Sequence, residues 1–125
     1  MTFINFNNRQ DLINDIREWA TNDETSYRNW IHPTILLSAG QDRSYYDRMD
    51  EWQEIIPAVA ARYFSCMGLP MSVNQVELIL TDEDVEDLAN GLYDDYEEEF
   101  EETRARYHPD RYPDDAERLG IGTGE

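Results

Sequence analysis

Thirteen carboxylates lie between Glu77 and Glu102, and no basic residue interrupts the chain from Tyr63 to Thr103. They are Glu77, Asp82, Glu83, Asp84, Glu86, Asp87, Asp94, Asp95, Glu97, Glu98, Glu99, Glu101 and Glu102. Carboxylates at such density can do three kinds of chemistry: acid–base catalysis in pairs, cation ligation, or purely electrostatic recognition. With 28 acids in 125 residues, a pair at catalytic spacing arises by coincidence and singles out no residues. Neither Asp82–Asp87 nor Asp94–Glu99 carries the Asp-x-Asp-x-Asp-Gly arrangement of a calcium loop. His32 and His108 have no cysteine or histidine partner at zinc-ligand spacing. No nucleophile–base–orienter set or phosphate-cradling glycine loop is visible, and Ser65-Cys66 has no nearby histidine. The expectation is a protein without catalytic residues, metal or cofactor, whose acids act as a surface.

That surface is costly. Ordinary helices mix signs to gain i,i+4 ion pairs of about 0.2–0.5 kcal/mol each, whereas this stretch accepts like-charge repulsion at the same spacing. A rigid face of one sign implies a positively charged partner. The commonest large positive surface in a cell is one that binds nucleic acid. The pattern therefore points to a protein that imitates DNA, with Asp82, Glu83, Glu86, Asp87, Asp94, Asp95, Glu97, Glu98, Glu101 and Glu102 as the partner-binding face.

The composition agrees. Net charge is −18, with a pI near 4.2, which excludes direct binding to phosphate backbones or anionic lipid. Residues 1–70 carry a net −4 and residues 71–125 a net −14, so the first part reads as scaffold and the second as working surface. All ten basic residues are arginine. Halophilic adaptation would also deplete lysine, but it should coat every face, and nine Ile and eight Asn argue against it. Apolar residues make up 40% of the chain and aromatics 12%, enough for a core in one domain. The lone Cys66, in an apolar run, reads as a buried small hydrophobe. The absence of a disulfide framework, a signal peptide or a spanning apolar stretch gives a cytoplasmic expectation, inside a host cell if the protein is phage-encoded.

The elements that must position the face are helical. Leu12, Ile13, Ile16 and Trp19 share one side of a helix over 9–20, with Asn7 or Asn8 as cap. Residues 21–25 read as a polar linker. Ser26–Ala39 reads as a second helix, with Pro33 in its first turn and Gly40 at its end. The most apolar helical stretch is 42–67, which Pro57 should kink or split, and Gly68 with Pro70 should stop. Residues 73–80 are ambiguous. Val76, Leu78 and Leu80 alternate as a short strand would, while Ser72 and Gln75 form a capping box for a helix. The clearest helix covers 81–107, with Thr81 as N-cap, acids in its first turn and Arg104 and Arg106 in its last. Its apolar stripe runs from Val85 to Tyr107 through Leu88, Leu92, Tyr93, Tyr96 and Phe100, and Gly91 is a weak point. The expectation is a mainly α, single-domain helical bundle over 1–107 ending in the acidic helix, then a loosely held Pro/Asp/Gly-rich tail over 108–125.

Two local resemblances bear on function. Tyr107-His108-Pro109-Asp110-Arg111 is similar to the loop of J-domain co-chaperones, but the helix before it is acidic where theirs is basic, and too little chain follows for theirs after it. The more extensive likeness begins at Ile56-Pro57 and Tyr63-Phe64-Ser65-Cys66-Met67. It resumes at Thr81-Asp82-Glu83-Asp84-Val85-Glu86-Asp87-Leu88 and Leu92-Tyr93, and ends in Asp95-Tyr96-Glu97-Glu98-Glu99-Phe100-Glu101-Glu102. In order, helical pattern and terminal acidic run, this half of the chain resembles the Ocr family of phage antirestriction DNA mimics. The resemblance implies an all-α fold, a homodimer whose acidic helices imitate bent duplex DNA, and a DNA-binding host defence enzyme, such as a restriction–modification complex or another anti-phage nuclease, as partner. The chain departs from the family in its longer N-terminal part and its arginine-containing tail. Two rival readings stand beside it: an immunity protein that plugs a basic nuclease toxin, and a chaperone-type module, J-like or histone-binding. Trp19, Trp30, Trp52, Tyr63 and Phe64 are expected in the core or the dimer interface.

Overall fold

The computed structural model describes residues 9–42, 44–118 and 120. The chain is mainly α and forms a single helical domain, with no strand among the described residues. In order, the elements are α1 (Arg9–Thr21), α2 (Glu24–Ser26), a π-helical turn (Tyr27–Ile31), α3 (His32–Gly40), α4 (Tyr45–Cys66), α5 (Val73–Ile79), α6 (Asp82–Tyr107) and α7 (Pro113–Arg118). The cap expected at Asn7 or Asn8 lies outside the described residues.

The central element is α6, because α1, α3, α4 and α7 all pack against it. Leu88, Ala89, Leu92 and Phe100 are fully buried there, and Tyr93 and Tyr96 are half-buried against the core. From α4, Trp52, Ile56, Val59, Ala60 and Tyr63 fill the other side of the same core, with Phe64 beside them. Trp52 meets Tyr93 edge-on at 6.1 Å and stacks on Tyr96 at 6.3 Å. Each fully buried large apolar side chain contributes about 1.5–3 kcal/mol, so this interface carries much of the fold. Trp19 and Trp30 are only partly buried at the edge of the core.

Residues 73–79 are a helix, which corrects the possible short strand at 73–80. The capping box decides it. Ser72 Oγ accepts from Gln75 N at 3.2 Å and Gln75 Oε1 accepts from Ser72 N at 2.8 Å, so two otherwise unsatisfied donors are met only in the helical form. A single strand would leave its own backbone groups unpaired. Thr81 and Asp84 form the same reciprocal pair at the start of α6, at 3.1 and 3.0 Å.

Pro57 neither splits nor ends α4. It leaves the Gln53 carbonyl without its helical donor, at a cost of about 3 kcal/mol. Continuing the helix buries Val59, Ala60, Tyr63 and Phe64, which offsets that cost. The stop comes at Gly68 (φ 86°), where Leu69 N donates to Phe64 O at 2.8 Å and Gly68 N to Ser65 O at 3.1 Å, the paired bonds of a Schellman end.

The second helix begins earlier than expected, inside the stretch read as a linker. Asp23 caps α2 by accepting from Ser26 N and Oγ at 3.0 and 2.6 Å. Pro33 lacks the N–H that would bond Asn29 O, and its ring crowds that carbonyl. The turn before it widens to the π form, with His32 N bonding Tyr27 O.

The segment after Pro109 contains α7 and is tied down as far as Arg118, contrary to the loosely held tail read from its composition. Tyr112 OH donates to Asp42, Arg111 Nη1 lies 2.9 Å from Asp42 Oδ2, and Arg104 Nη2 lies 3.6 Å from Asp115 Oδ2. Ala116 is fully buried. These partners sit far away in sequence, so composition could not show them.

Candidate functional site

The acidic stretch divides into three groups once α6 is packed. One group does structural work inside the fold. Asp84 is buried as the second half of the α6 capping box. Glu99 accepts the Tyr27 hydroxyl proton. Burial and that bond to Glu99 push the Tyr27 phenol up to about 12. With its hydroxyl proton committed to Glu99, Tyr27 accepts from His32 Nδ1 at 3.1 Å.

A second group is neutralised by arginine. Arg17, from α1, grips Asp95 with two bonds of 2.8 Å, Nε to Oδ2 and Nη2 to Oδ1. Gly91 makes this possible. A Cβ at that position would stand 2.8 Å from Arg17 Cδ and 3.0 Å from Nε, so the guanidinium stem lies directly on the bare backbone of α6. The bond to Asp95 raises the Arg17 pKa against the opposing effect of burial. Arg106 pairs with Glu102 one turn earlier, and Arg118 Nη2 reaches Glu101 Oε2 at 3.6 Å.

The third group is bare. Asp82, Glu83, Glu86, Asp87, Asp94, Glu97 and Glu98 are exposed, and none has an arginine within ion-pair distance among the described residues. Of the ten residues expected on the face, the structure thus leaves seven bare and gives Asp95, Glu101 and Glu102 a cationic partner. At about 100° per residue, Glu83, Asp87, Asp94 and Glu98 follow one line along the helix, with Glu86 and Glu97 beside it. The seven span about 24 Å of axis, one charge per roughly 3.5–4 Å, close to the ~3.4 Å per phosphate of a single B-form strand. The row is not continuous. It forms two clusters, 82–87 and 94–98, about 10 Å apart, and Arg17 lies across α6 in the gap.

Sequence reasoning missed acids that join this face from other elements. Asp50 and Glu54 are exposed on α4, one turn apart, and line a groove together with Asp82 from α6 and Glu77 from α5. A signal existed: both stand off the Trp52–Ile56 core stripe at i,i+4 with the same sign. Cys66 is exposed at the last turn of α4, which corrects the expectation of burial. The core-facing side of that turn is taken by Tyr63 and Phe64. His108 Nε2 donates to Gly40 O at 2.9 Å, so this histidine of the His-Pro-Asp sequence fastens the end of α6 to α3.

No protein-family model, curated protein or solved structure matches this chain. Among the described residues no group of three or more candidate ligands could hold a metal ion, and no helix is long and apolar enough to cross a membrane. What the arrangement can do is present fixed negative charge on a rigid rod. The rod is rigid because the other side of α6 is buried against four elements.

Proposed function

We propose that this protein is a DNA mimic, an inhibitor that occupies the DNA-binding groove of a host restriction enzyme or other anti-phage defence nuclease. The observation that carries this reading is the bare row of seven carboxylates on α6, whose axial charge density approximates that of one DNA strand. The face replaces phosphates, steers the encounter, and loses affinity as salt rises. Because the charge is collective, no single carboxylate is indispensable. A homodimer would set two such rows together and approach the charge of a duplex. Exposed apolar side chains at Met67, Val73, Leu78 and Ile79, Leu78 being 88% exposed, offer surface for a second copy to cover.

The test is competition. The purified protein, immobilised, should retain DNA-binding enzymes from a bacterial lysate at low salt, and excess duplex DNA should release them. Recovery of a single protein that does not bind DNA, or retention that duplex DNA cannot reverse, overturns the mimic reading. The first of these outcomes would favour an immunity-type complex.

A further inference from the structure

Beyond the row on α6, a groove runs between α4 and the N-terminal half of α6, flanked at one end by α5. It has two adjoining hollows of about 660 and 390 Å³ that share Asp50 and Gln53. In the larger one, Pro57, Val76, Leu80 and Val85 supply the apolar lining. Asp50, Glu54, Glu77 and Asp82 stand around them, and among the described residues no basic side chain lines either hollow. The smaller hollow adds Met49, Glu86 and Tyr46, which is 81% exposed. From Tyr46 to Pro57 the groove follows α4 for about 17 Å, the length of a three-turn helix.

We propose that this groove is a docking site for an amphipathic, arginine- or lysine-bearing helix of a partner protein. Two properties select that occupant. An apolar lining rewards a side chain with an aliphatic or aromatic body, laid in at i, i+3, i+4 and i+7. An acidic rim from three separate helices rewards cations on both flanks of that anchor. Arginine combines both features, since its stem packs on apolar surface while its head reaches a carboxylate. A second copy of this chain is disfavoured as occupant of this groove, because its exposed apolar residues Met67, Val73, Leu78 and Ile79 lie in a stretch without arginine and bring the acidic rim no cation. Simple polyamines satisfy the rim but leave the lining uncovered. The site is separate from the row at Asp94–Glu98 and does not depend on the mimic reading; a partner could engage both through different parts of its surface.

The test uses the full chain and a fluorescent fourteen-residue helical peptide, with leucines at i, i+3, i+4 and i+7 and arginines on the flanking positions. A control peptide keeps the arginines and replaces each leucine with serine. Anisotropy should show the leucine peptide binding at least about tenfold more tightly than the control. The triple change Asp50→Asn, Glu54→Gln, Glu77→Gln should weaken the leucine peptide about tenfold, and Asp94→Asn, Glu97→Gln, Glu98→Gln by less than about twofold. Equal binding of the two peptides, or equal loss in the two triple variants, overturns the proposal and leaves only general charge attraction. Circular dichroism of both variants should match the parent, since each removes three mutually repelling charges and no ion pair. Asp82 and Glu86 belong to both the row and the groove, so lysate competition with duplex DNA is read on Asp94→Asn, Glu97→Gln, Glu98→Gln, whose acids lie outside the groove, and failure of one reading does not disguise failure of the other.

Discussion

The bare row of α6 and the arginine-tied band around it are built from the same two residue types and do opposite things. In the band, each acid has a distant cation or hydroxyl: Asp23 with Arg62, Asp42 with Arg111 and Tyr112, Asp95 with Arg17, Asp15 with Tyr63. These acids hold elements together. The seven bare acids, Asp82, Glu83, Glu86, Asp87, Asp94, Glu97 and Glu98, have no such partner among the described residues and repel one another. The difference lies in where the arginines stand: none falls between Arg62 and Arg104 in the chain, and among the described residues Arg17 lies on α6 at Gly91 while Arg48 packs over the half-buried Tyr93 ring. Under the proposed function, stability and interaction fall to different acids, and this division can be tested group by group.

The largest effect should come from the bare group. Changing Glu83, Glu86, Asp87, Asp94, Glu97 and Glu98 to amides together should cost about a hundredfold or more in target affinity, read by competition against duplex DNA. Thermal stability should rise or stay level, because self-repulsion falls. A fall in stability with unchanged affinity would invert the comparison.

Next comes the band. Asp23→Ala removes the cap of α2 and leaves Arg62 without its carboxylate. It should cost about 2 kcal/mol in urea unfolding with target affinity intact. The same carboxyl gives a pH signature. The Arg62 guanidinium, helped by Ser26 and opposed by burial, holds Asp23 down to about 2 from an ordinary 3.8. Its folded pKa is the lower one, so its contribution is fully present above the ordinary value and is lost as pH falls from there towards 2. Asp23→Ala should therefore converge with the parent in stability across that acid window, and a constant gap would sink the assignment.

Smaller again, Asp95→Asn should lower stability by no more than about 1 kcal/mol, since the pair with Arg17 is partly exposed and screened. The smallest effect sharpens the boundary between the two regions. Gly91→Ala gains up to about 1 kcal/mol of helix propensity but pushes Arg17 off the α6 backbone, so the net change in stability should be near zero. Asp95 then joins the bare row, and target affinity should rise a few fold, measurable in the same competition assay.

Local features were legible in the sequence because their causes are local. Thr81 with Asp84, Ser72 with Gln75, the stripe from Val85 to Phe100 and the stop at Gly68 are short-range patterns, and α6 begins one residue from where they place it. Partnerships across the fold were not legible. Arg17 and Asp95 are 78 positions apart, Tyr112 and Asp42 are 70 apart, and nothing in either neighbourhood marks the other. Hence Asp95 and Glu101 read like their bare neighbours and the segment from Pro109 to Arg118 read as loose, whereas the partner of Glu102, Arg106, stands one turn away and was within reach of a local reading. Pro57 left a kink or a split open, and the buried residues beyond it, which keep α4 one helix, decide against the split.

Because every side-chain cation is an arginine, the chain carries no ε-amine. Reagents and enzymes that acylate or conjugate lysine find no side chain to act on, so they cannot change the pattern of paired and bare charge. Cys66 is the single thiol, and it is exposed at the end of α4, outside the acidic row of α6. Maleimide coupling there would place one label, or one tether to a surface, on every molecule in the same orientation, with the carboxylates left chemically untouched.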